Sequence, residues 1–277
     1  MTITLAQVRR VVEELWPIAG AEPWDAPGLV TGDPAAPVEA ILLAVDVVSA
    51  TLDEAVETGA DLLLAHHPLL LRGVTSVAGD RYKGALIARA IRADCAVLGA
   101  HTNADVVAEG TSSVLAARIG LGETRPIVPG DGEHTGLGRV GRLAEPIPLA
   151  AVAERLAGVL PATAGGILVA GEAERRVDRI ALCAGAGDSL LSHPEVVASD
   201  VYITSDLRHH PASEAREQAL LSGGPALIDI SHWAAESLWL TTARDRLAER
   251  LPGVTVTVSR RRTDPWDFRL DSGRAGG

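Results

Sequence analysis

The feature of this sequence that most constrains its fold is a series of short, uninterrupted apolar runs. VEAILLAVDV from Val38, DLLLAH from Asp61 and CAVLGAH from Cys95 are too short and too continuously apolar to be amphipathic helices. Strands with this pattern are buried on both faces, as they are in the parallel sheets of α/β proteins. The sequence therefore predicts an α/β fold in which these three strands share one largely parallel sheet.

Helices are predicted between these runs. Thr4, with Gln7 three residues later, forms a capping box that begins a helix, and Pro17 ends this helix near Trp16. Three further helices are predicted over residues 52–59, 82–93 and 111–119. The alternation of helix and strand supports the α/β assignment.

A break in the middle of the chain separates two sets of elements. The segment GETRPIVPGDGEH, residues 122–134, is rich in proline, glycine and charge and predicts a domain boundary. The second set includes, in order, GLGRVGRL, a helix over IPLAAVAERLAGVL, and the runs GILVAG, RIALCAG, VYITS and ALIDI. A final helix from His232 to about Glu249 and the strand VTVTV follow.

Composition excludes several classes of protein. The chain of 277 residues is 47% hydrophobic, which is enough for one large or two modest buried cores. Its net charge of -11 argues against nucleic acid as a partner, because binding to phosphate backbones depends on clustered Lys and Arg. Neither a signal peptide nor a membrane span is predicted, so we expect a cytoplasmic protein. Cys95 and Cys183 lie in apolar runs and are assigned neither a disulfide nor a metal.

Histidines and carboxylates collect at the ends of the predicted strands. The carboxyl edge of an open α/β sheet is where ligands bind. Glu236 follows His232 by four residues and therefore lies on the same face of the final helix. The candidate metal ligands are four imidazoles and two carboxylates: His66, His67, His101, Asp105, His232 and Glu236.

These side chains suit catalytic metals. Zn, Fe, Mn, Co and Ni bind imidazole and carboxylate, and the absence of cysteine ligands argues against a closed structural zinc site. Six ligands are too many for one tetrahedral ion but suit two divalent ions with open positions. Such a centre is electropositive and would attract a small anionic substrate. On spacing alone, an alternative stays open, because strand-end histidines are often hydrogen-bonded surface groups.

The motifs resemble those of the Nif3-like family of dinuclear-metal proteins, also named GTP cyclohydrolase 1 type 2. They occur in order along nearly the whole chain: WDAPGLVTGD from Trp24, LAHHPLLLRG from Leu64, GAHTNAD from Gly99, RIALCAGAG from Arg179, DVYITSDLRHHPASEA from Asp200 and DISHWAAE from Asp229. The resemblance implies that the six residues named above bind two metal ions. Ala26 and Ser205 depart from the family pattern, which usually has Asn and Gly there.

The resemblance also implies an organisation for the molecule. It implies two α/β domains in each subunit, the first completed by the C-terminal segment. We therefore predict a metal-binding domain of residues 1–125 together with 230–277, and a second domain of residues 126–229. A homohexamer in the form of a ring, with the metal centres facing an internal cavity, is implied as well.

Two further segments have alternative interpretations. CAGAGDSLL, with Gly185 and Gly187, could present backbone N–H groups to a phosphate or form a plain tight turn between strand and helix. TSDLRHHP follows a predicted strand, and the resemblance implies that it faces the cavity. We expect His209 or His210 to be a proton donor or a substrate contact; a solvated helix start is the alternative.

The hypothesis for function is metal-assisted hydrolysis. A water activated by two ions would attack a carbon or phosphorus centre. The family name implies opening of the guanine ring of GTP, while a dinuclear centre suits cleavage of a phosphoester equally well. The alternative is a non-enzymatic metal-binding scaffold or interaction protein.

Overall fold

Helices alternate with short strands throughout the computed structural model, which describes residues 2–270. The strands are β1 Gly28–Thr31, β2 Ala40–Ala44, β3 Leu62–Ala65, β4 Ala96–Gly99, β5 Gly122–Arg125, β6 Val128–Pro129, β7 Gly136–Leu137, β8 Arg139–Pro148, β9 Ile167–Ala170, β10 Arg176–Ala186, β11 Val201–Ser205, β12 Ala226–Ile230 and β13 Thr255–Val258. The helices are α1 Leu5–Leu15, α2 Ser49–Glu57, α3 Tyr82–Arg92, α4 Thr102–Asp105, α5 Thr111–Arg118, α6 Leu149–Val159, α7 Pro194–Val197, α8 His209–Ser222, α9 His232–Ser237 and α10 Trp239–Arg250.

The described residues divide into two compact units. The first holds residues 2–111, 130–136 and 237–263, and the second holds residues 112–129, 137–236 and 264–270. Each unit contains one sheet, and β6 pairs with β7 in a separate two-stranded hairpin. The predicted α/β fold is confirmed.

The sheet of the first unit has the order β1-β4-β3-β2-β13. The central strands β2, β3 and β4 are parallel, and β13 is parallel to β2, whereas β1 runs antiparallel to β4 at the edge. All four residues of β3 are fully buried because neighbouring strands and helices cover both faces. The uninterrupted apolar runs thus correspond to the central strands of a parallel sheet.

The first helix begins as its sequence predicts. The backbone N–H of Thr4 donates to Oε1 of Gln7 at 2.7 Å, which supplies one half of the capping box. Leu5, Val8 and Val12 form the buried face of α1, and the helix ends just before Trp16 and Pro17. This spacing of three and four residues is the period of an amphipathic helix.

The sheet of the second unit has the order β5-β8-β10-β11-β12-β9. The strands β10, β11 and β12 are parallel, and the remaining strands are antiparallel to their neighbours. The buried residues of this unit include Ile180, Tyr202 and Ile228, each fully buried. Both cysteines, Cys95 in the first unit and Cys183 in the second, are buried and form no disulfide, as their apolar surroundings predict.

Two elements differ from the sequence predictions. The edge strand β1 was not predicted, because its four residues include a glycine and lack a long apolar run. The predicted final helix is interrupted at Leu238, which separates α9 from α10. No helix among residues 2–270 combines the length and the apolar character needed to cross a bilayer.

The predicted domains, residues 1–125 with 230–277 and residues 126–229, stay a prediction, and the compact units of the structure begin and end at other residues. Residues 112–125 lie in the second unit, where β5 pairs with β8 and the hydroxyl of Ser112 accepts a hydrogen bond from the N–H of Ala184. Residues 230–236 also lie in the second unit, because β12 leads directly into α9. The C-terminal segment 237–263 returns to the first unit, where β13 extends the sheet.

Candidate metal centre

The carboxyl edge of the first sheet carries four of the candidate ligands. His66 and His67 follow β3 directly, and their backbone N–H groups continue the parallel ladder by donating to the carbonyls of Ala44 and Val45. His101 follows β4, and Asp105 is the last residue of the short helix α4. The ends of two neighbouring parallel strands thus bring these side chains to one edge of the sheet, as predicted.

The three histidines of this edge form one compact cluster. His66, His67 and His101 each offer a ring nitrogen, and the three nitrogens lie within 4.8 Å of one another. The ring centroids are 5.1 to 5.3 Å apart. Oδ1 of Asp105 lies 3.6 Å from Nε2 of the fully buried His66 and accepts a hydrogen bond from the hydroxyl of Thr111 at 2.5 Å.

An oxygen atom fixes the orientation of each of these imidazoles through Nδ1. The acceptors are the carbonyl of Ala100 for His66 at 2.9 Å, the carboxylate of Asp46 for His67 at 2.7 Å, and that of Asp25 for His101 at 2.8 Å. Nδ1 therefore carries the proton, and the lone pair that could bind a metal is on Nε2. Such outer partners are typical of metal-binding histidines.

Asp25 is the most extensively bonded of these partners. Besides His101, it accepts hydrogen bonds from the backbone N–H of Thr102 at 3.0 Å and from the Thr102 hydroxyl at 2.5 Å. Burial alone would raise the pKa of Asp25, but the hydrogen bonds from Thr102 and His101 outweigh it and hold the pKa below its usual value. Asp25 is thus an anion that holds His101 in place.

His101 has the protonation state that a metal ligand requires. Burial and the neighbouring ring of His66 lower the pKa of His101, and the carboxylates of Asp25 and Asp105 reverse only part of this effect. The imidazole is therefore neutral at pH values near 7. Three oriented imidazoles and one carboxylate form a donor set that fits a first-row divalent ion.

The second unit carries the other two candidate ligands. Nε2 of His232 lies 2.9 Å from Oε1 of Glu236, one helical turn away, as the spacing predicts. Nδ1 of the same ring lies 2.8 Å from Oδ2 of Asp206. Burial would lower the pKa of His232, but Glu236 and Asp206 outweigh it and raise the pKa to about 11. The ring thus carries a proton on each nitrogen and donates one to Asp206 from Nδ1 and the other to Glu236 from Nε2.

The backbone at Gly185 lies very close to the side chains of His232 and Glu236. Gly185 has a φ of +81°, and a Cβ there would lie 2.6 Å from Oε1 of Glu236 and 3.4 Å from Nε2 of His232. Asp206 has a φ of +58°, in the left-handed region that non-glycine residues rarely occupy. Strain of this kind is often found at functional sites.

The two glycines of CAGAGDSLL belong to a packed strand end. The hydroxyl of Tyr202 donates to the carbonyl of Gly187, and the hydroxyl of Thr204 donates to the carbonyl of Gly185. A Cβ at Gly187 would lie 2.3 Å from the Tyr202 hydroxyl. Close packing therefore accounts for both glycines, which favours the tight turn over a phosphate site.

The structure places His209 and His210 at the first two positions of α8, where both are exposed and their rings lie edge to face, 5.3 Å apart. A role for either as a proton donor or substrate contact stays a prediction. Four candidate ligands come together in the first unit and two in the second. That all six share one centre also stays a prediction.

The carboxylate partners of the histidines were not identified from the sequence. Asp25, Asp46 and Asp206 are separated from the histidines they hold by 76, 21 and 26 residues. An aspartate just beyond a buried strand is the pattern that could have indicated two of them, since Asp46 lies two residues after β2 and Asp206 lies one residue after β11.

Comparison with known proteins gives a consistent result. A profile of the family described as Duf34/NIF3 (NGG1p interacting factor 3) matches residues 3–265. A GTP cyclohydrolase 1 type 2 homolog from Streptomyces coelicolor is 45% identical over 275 residues, which cover 97% of this chain and 95% of that protein. The homolog of the same name from Mycobacterium tuberculosis is 32% identical over 387 aligned positions, covering 99% of each chain.

Solved structures confirm the fold. A Bacillus cereus protein related to NIF3 superposes with a TM-score of 0.87 at 22% identity, covering 97% of this chain and 100% of that one. A hypothetical protein from Staphylococcus aureus gives the same TM-score and the same coverage at 25% identity.

Proposed function

The chain belongs to the Duf34/NIF3 family, and on that premise we propose that it is a hydrolase with a dinuclear metal centre. Its ligands are His66, His67, His101, Asp105, His232 and Glu236. The observation that carries the proposal is the cluster of three imidazoles, each oriented through Nδ1 by a carbonyl or a carboxylate. A histidine that serves only packing needs no such common orientation.

When bound, two divalent ions would supply Lewis acidity and a water of lowered pKa. The protein residues provide orientation and charge. Asp25 and Asp46 hold the protons of His101 and His67 on Nδ1, which leaves Nε2 as the metal-binding nitrogen. Asp206 holds a proton on Nδ1 of His232 in the same way, and the proton that Nε2 shares with Glu236 must leave before Nε2 can bind an ion.

The substrate we propose is a small anion, either a nucleotide or another phosphoester. Two divalent ions outweigh the charge of two carboxylate ligands, so the centre attracts anions although the whole chain carries a charge of -11. The relatives bear the name GTP cyclohydrolase 1 type 2 homolog, which makes GTP the first compound to test. His209 or His210, exposed at the start of α8, is the proposed proton donor.

A hydrolysis screen with controlled metal content tests this function. The protein is stripped with a chelator, reloaded separately with Zn, Mn, Fe, Co or Ni, and assayed with GTP and with a panel of phosphomonoesters and phosphodiesters. We expect activity that depends on added metal and falls at least about a hundredfold in His67→Ala and in Glu236→Ala. Activity that survives metal removal or both substitutions would contradict the proposal. A protein that is fully loaded with metal but inactive would favour the alternative of a non-enzymatic metal-binding scaffold.

We propose that the chain assembles as a homohexameric ring and acts in the cytoplasm. The family resemblance is the support for the ring. Among the described residues, several large apolar side chains are exposed, which is consistent with a surface that another subunit covers: Leu220, Leu221, Trp266 and Phe268.

A further inference from the structure

A largely exposed tryptophan lies beside the first set of ligands. The indole of Trp24 is 60% exposed, and its ring centroid lies 5.9 Å from that of His101, with an angle of 74° between the planes. An isolated exposed aromatic residue needs no special explanation. An exposed indole in edge-to-face contact with a candidate metal ligand is different, because a molecule bound at the metal would meet it.

The segment that carries Trp24 is fixed to the same element as His101. The backbone N–H of Glu22 donates to the hydroxyl of Thr102 at 2.9 Å, and the carboxylate of Asp25 accepts from the backbone and side chain of Thr102. The N–H of Ala26 donates back to the Asp25 carboxylate at 2.7 Å. Hydrogen bonds on both sides thus position the indole before any ligand binds, which lowers the entropic cost of binding.

A second tryptophan provides a contrast. Trp239 lies 5.4 Å from His66, ring centroid to ring centroid, but it is only 1% exposed and packs edge-on against Trp16 in the core. Trp239 therefore supports His66 from within the protein. Trp24 makes a similar contact with His101 and yet keeps most of its surface in solvent. Packing in the core therefore does not explain why a tryptophan occupies this position.

We propose that Trp24 is a stacking platform for a planar heteroaromatic ring of the substrate. An indole offers a large, rigid apolar face, and stacking of a base on an aromatic side chain tolerates any base. The inference rests on the proposed function and deepens it. Of the two substrate classes, it selects compounds that carry a nucleobase over phosphoesters without a ring system.

Binding without turnover tests this inference separately from hydrolysis. Calorimetric titration of the zinc-loaded, full-length protein uses guanosine, adenosine and ribose 5-phosphate as probes, and the metal content of each variant is measured alongside. We expect Trp24→Ala to bind both nucleosides at least about tenfold more weakly, with unchanged metal content, because one stacking contact is lost. Trp24→Phe should restore most of the affinity, and ribose 5-phosphate should bind all variants equally.

Tyr82→Ala is the matched control, because Tyr82 on α3 is 68% exposed and equally able to stack; its nucleoside affinity should equal that of the wild type. The inference is overturned if Trp24→Ala binds guanosine as tightly as the wild type, or if the wild type binds neither nucleoside. It is also overturned if Trp24→Ala dissociates the oligomer, since the indole would then be a subunit contact. A wild type that binds nucleosides but hydrolyses nothing would contradict the proposed function alone.

Discussion

At the scale of single residues, the orientation of His101 depends on Asp25. The three hydrogen bonds that Asp25 accepts hold the imidazole and the start of α4 together. In Asp25→Asn, the amide keeps the shape but loses the negative charge that favours the Nδ1–H tautomer. We expect metal affinity to fall about 10- to 100-fold, measured by competition with a chromogenic chelator. Asp245→Asn, on the exposed face of α10, is the control; equal affinities for both variants would contradict the role of Asp25.

Gly185 provides a second prediction at this scale. In Gly185→Ala, the positive φ costs about 1–2 kcal/mol, and the new Cβ also displaces Glu236 and His232. Gly223 has the same φ of +81°, but nothing lies within 4 Å of its Cβ position, so Gly223→Ala carries the strain without the clash. We expect both variants to lose thermal stability and only Gly185→Ala to lose bound metal. Full metal content in Gly185→Ala would show that metal binding does not require Glu236 and His232 to lie against the backbone of residue 185.

At the scale of elements, Asn103 fixes the turn between β4 and α4. Its side chain is 1% exposed, donates to the carbonyl of Trp16 at 2.7 Å and accepts from the N–H of His101 at 2.9 Å. Asn103→Ala would leave two buried backbone groups unpaired and should lower the free energy of unfolding by about 1–3 kcal/mol, measured with urea. Gln218→Ala, which removes an exposed amide on α8, should change it by less than about 0.5 kcal/mol. Equal effects would contradict the role of Asn103.

Elements with a strong local pattern were predictable from the sequence. The apolar runs gave β2, β3 and β4, and the capping box with Pro17 gave both ends of α1. The edge strand β1 was missed because its position depends on pairing with β4, far along the chain. The break at Leu238 was missed because the helical pattern runs through it.

The candidate site was predictable to a similar extent, for the same physical reason. Strand ends and helical spacing placed four ligands on one sheet edge and His232 beside Glu236. The aspartates that orient the rings could not be assigned, since contacts such as that of Asp25 with His101 join residues far apart in sequence. Long-range contacts of this kind follow from the packing of whole elements and not from local pattern.

At the scale of the whole molecule, the assembly state tests the proposed ring. Light scattering after size-exclusion chromatography should give a mass close to six times the 28.8 kDa of one chain. Association that buries apolar surface should persist in high salt, because screening weakens only the charged contacts. A mass of 28.8 kDa at micromolar concentration would exclude the ring.

The metal content of the chain tests the central claim most directly. The measurement is elemental mass spectrometry of protein purified without chelator or His-tag, beside His66→Ala, Glu236→Ala and the control His134→Ala. We predict about two divalent ions per chain in the wild type and the control, and a clear loss in both ligand variants. A wild type that stays nearly free of metal after reconstitution, or ligand variants that keep both ions, would contradict the dinuclear centre.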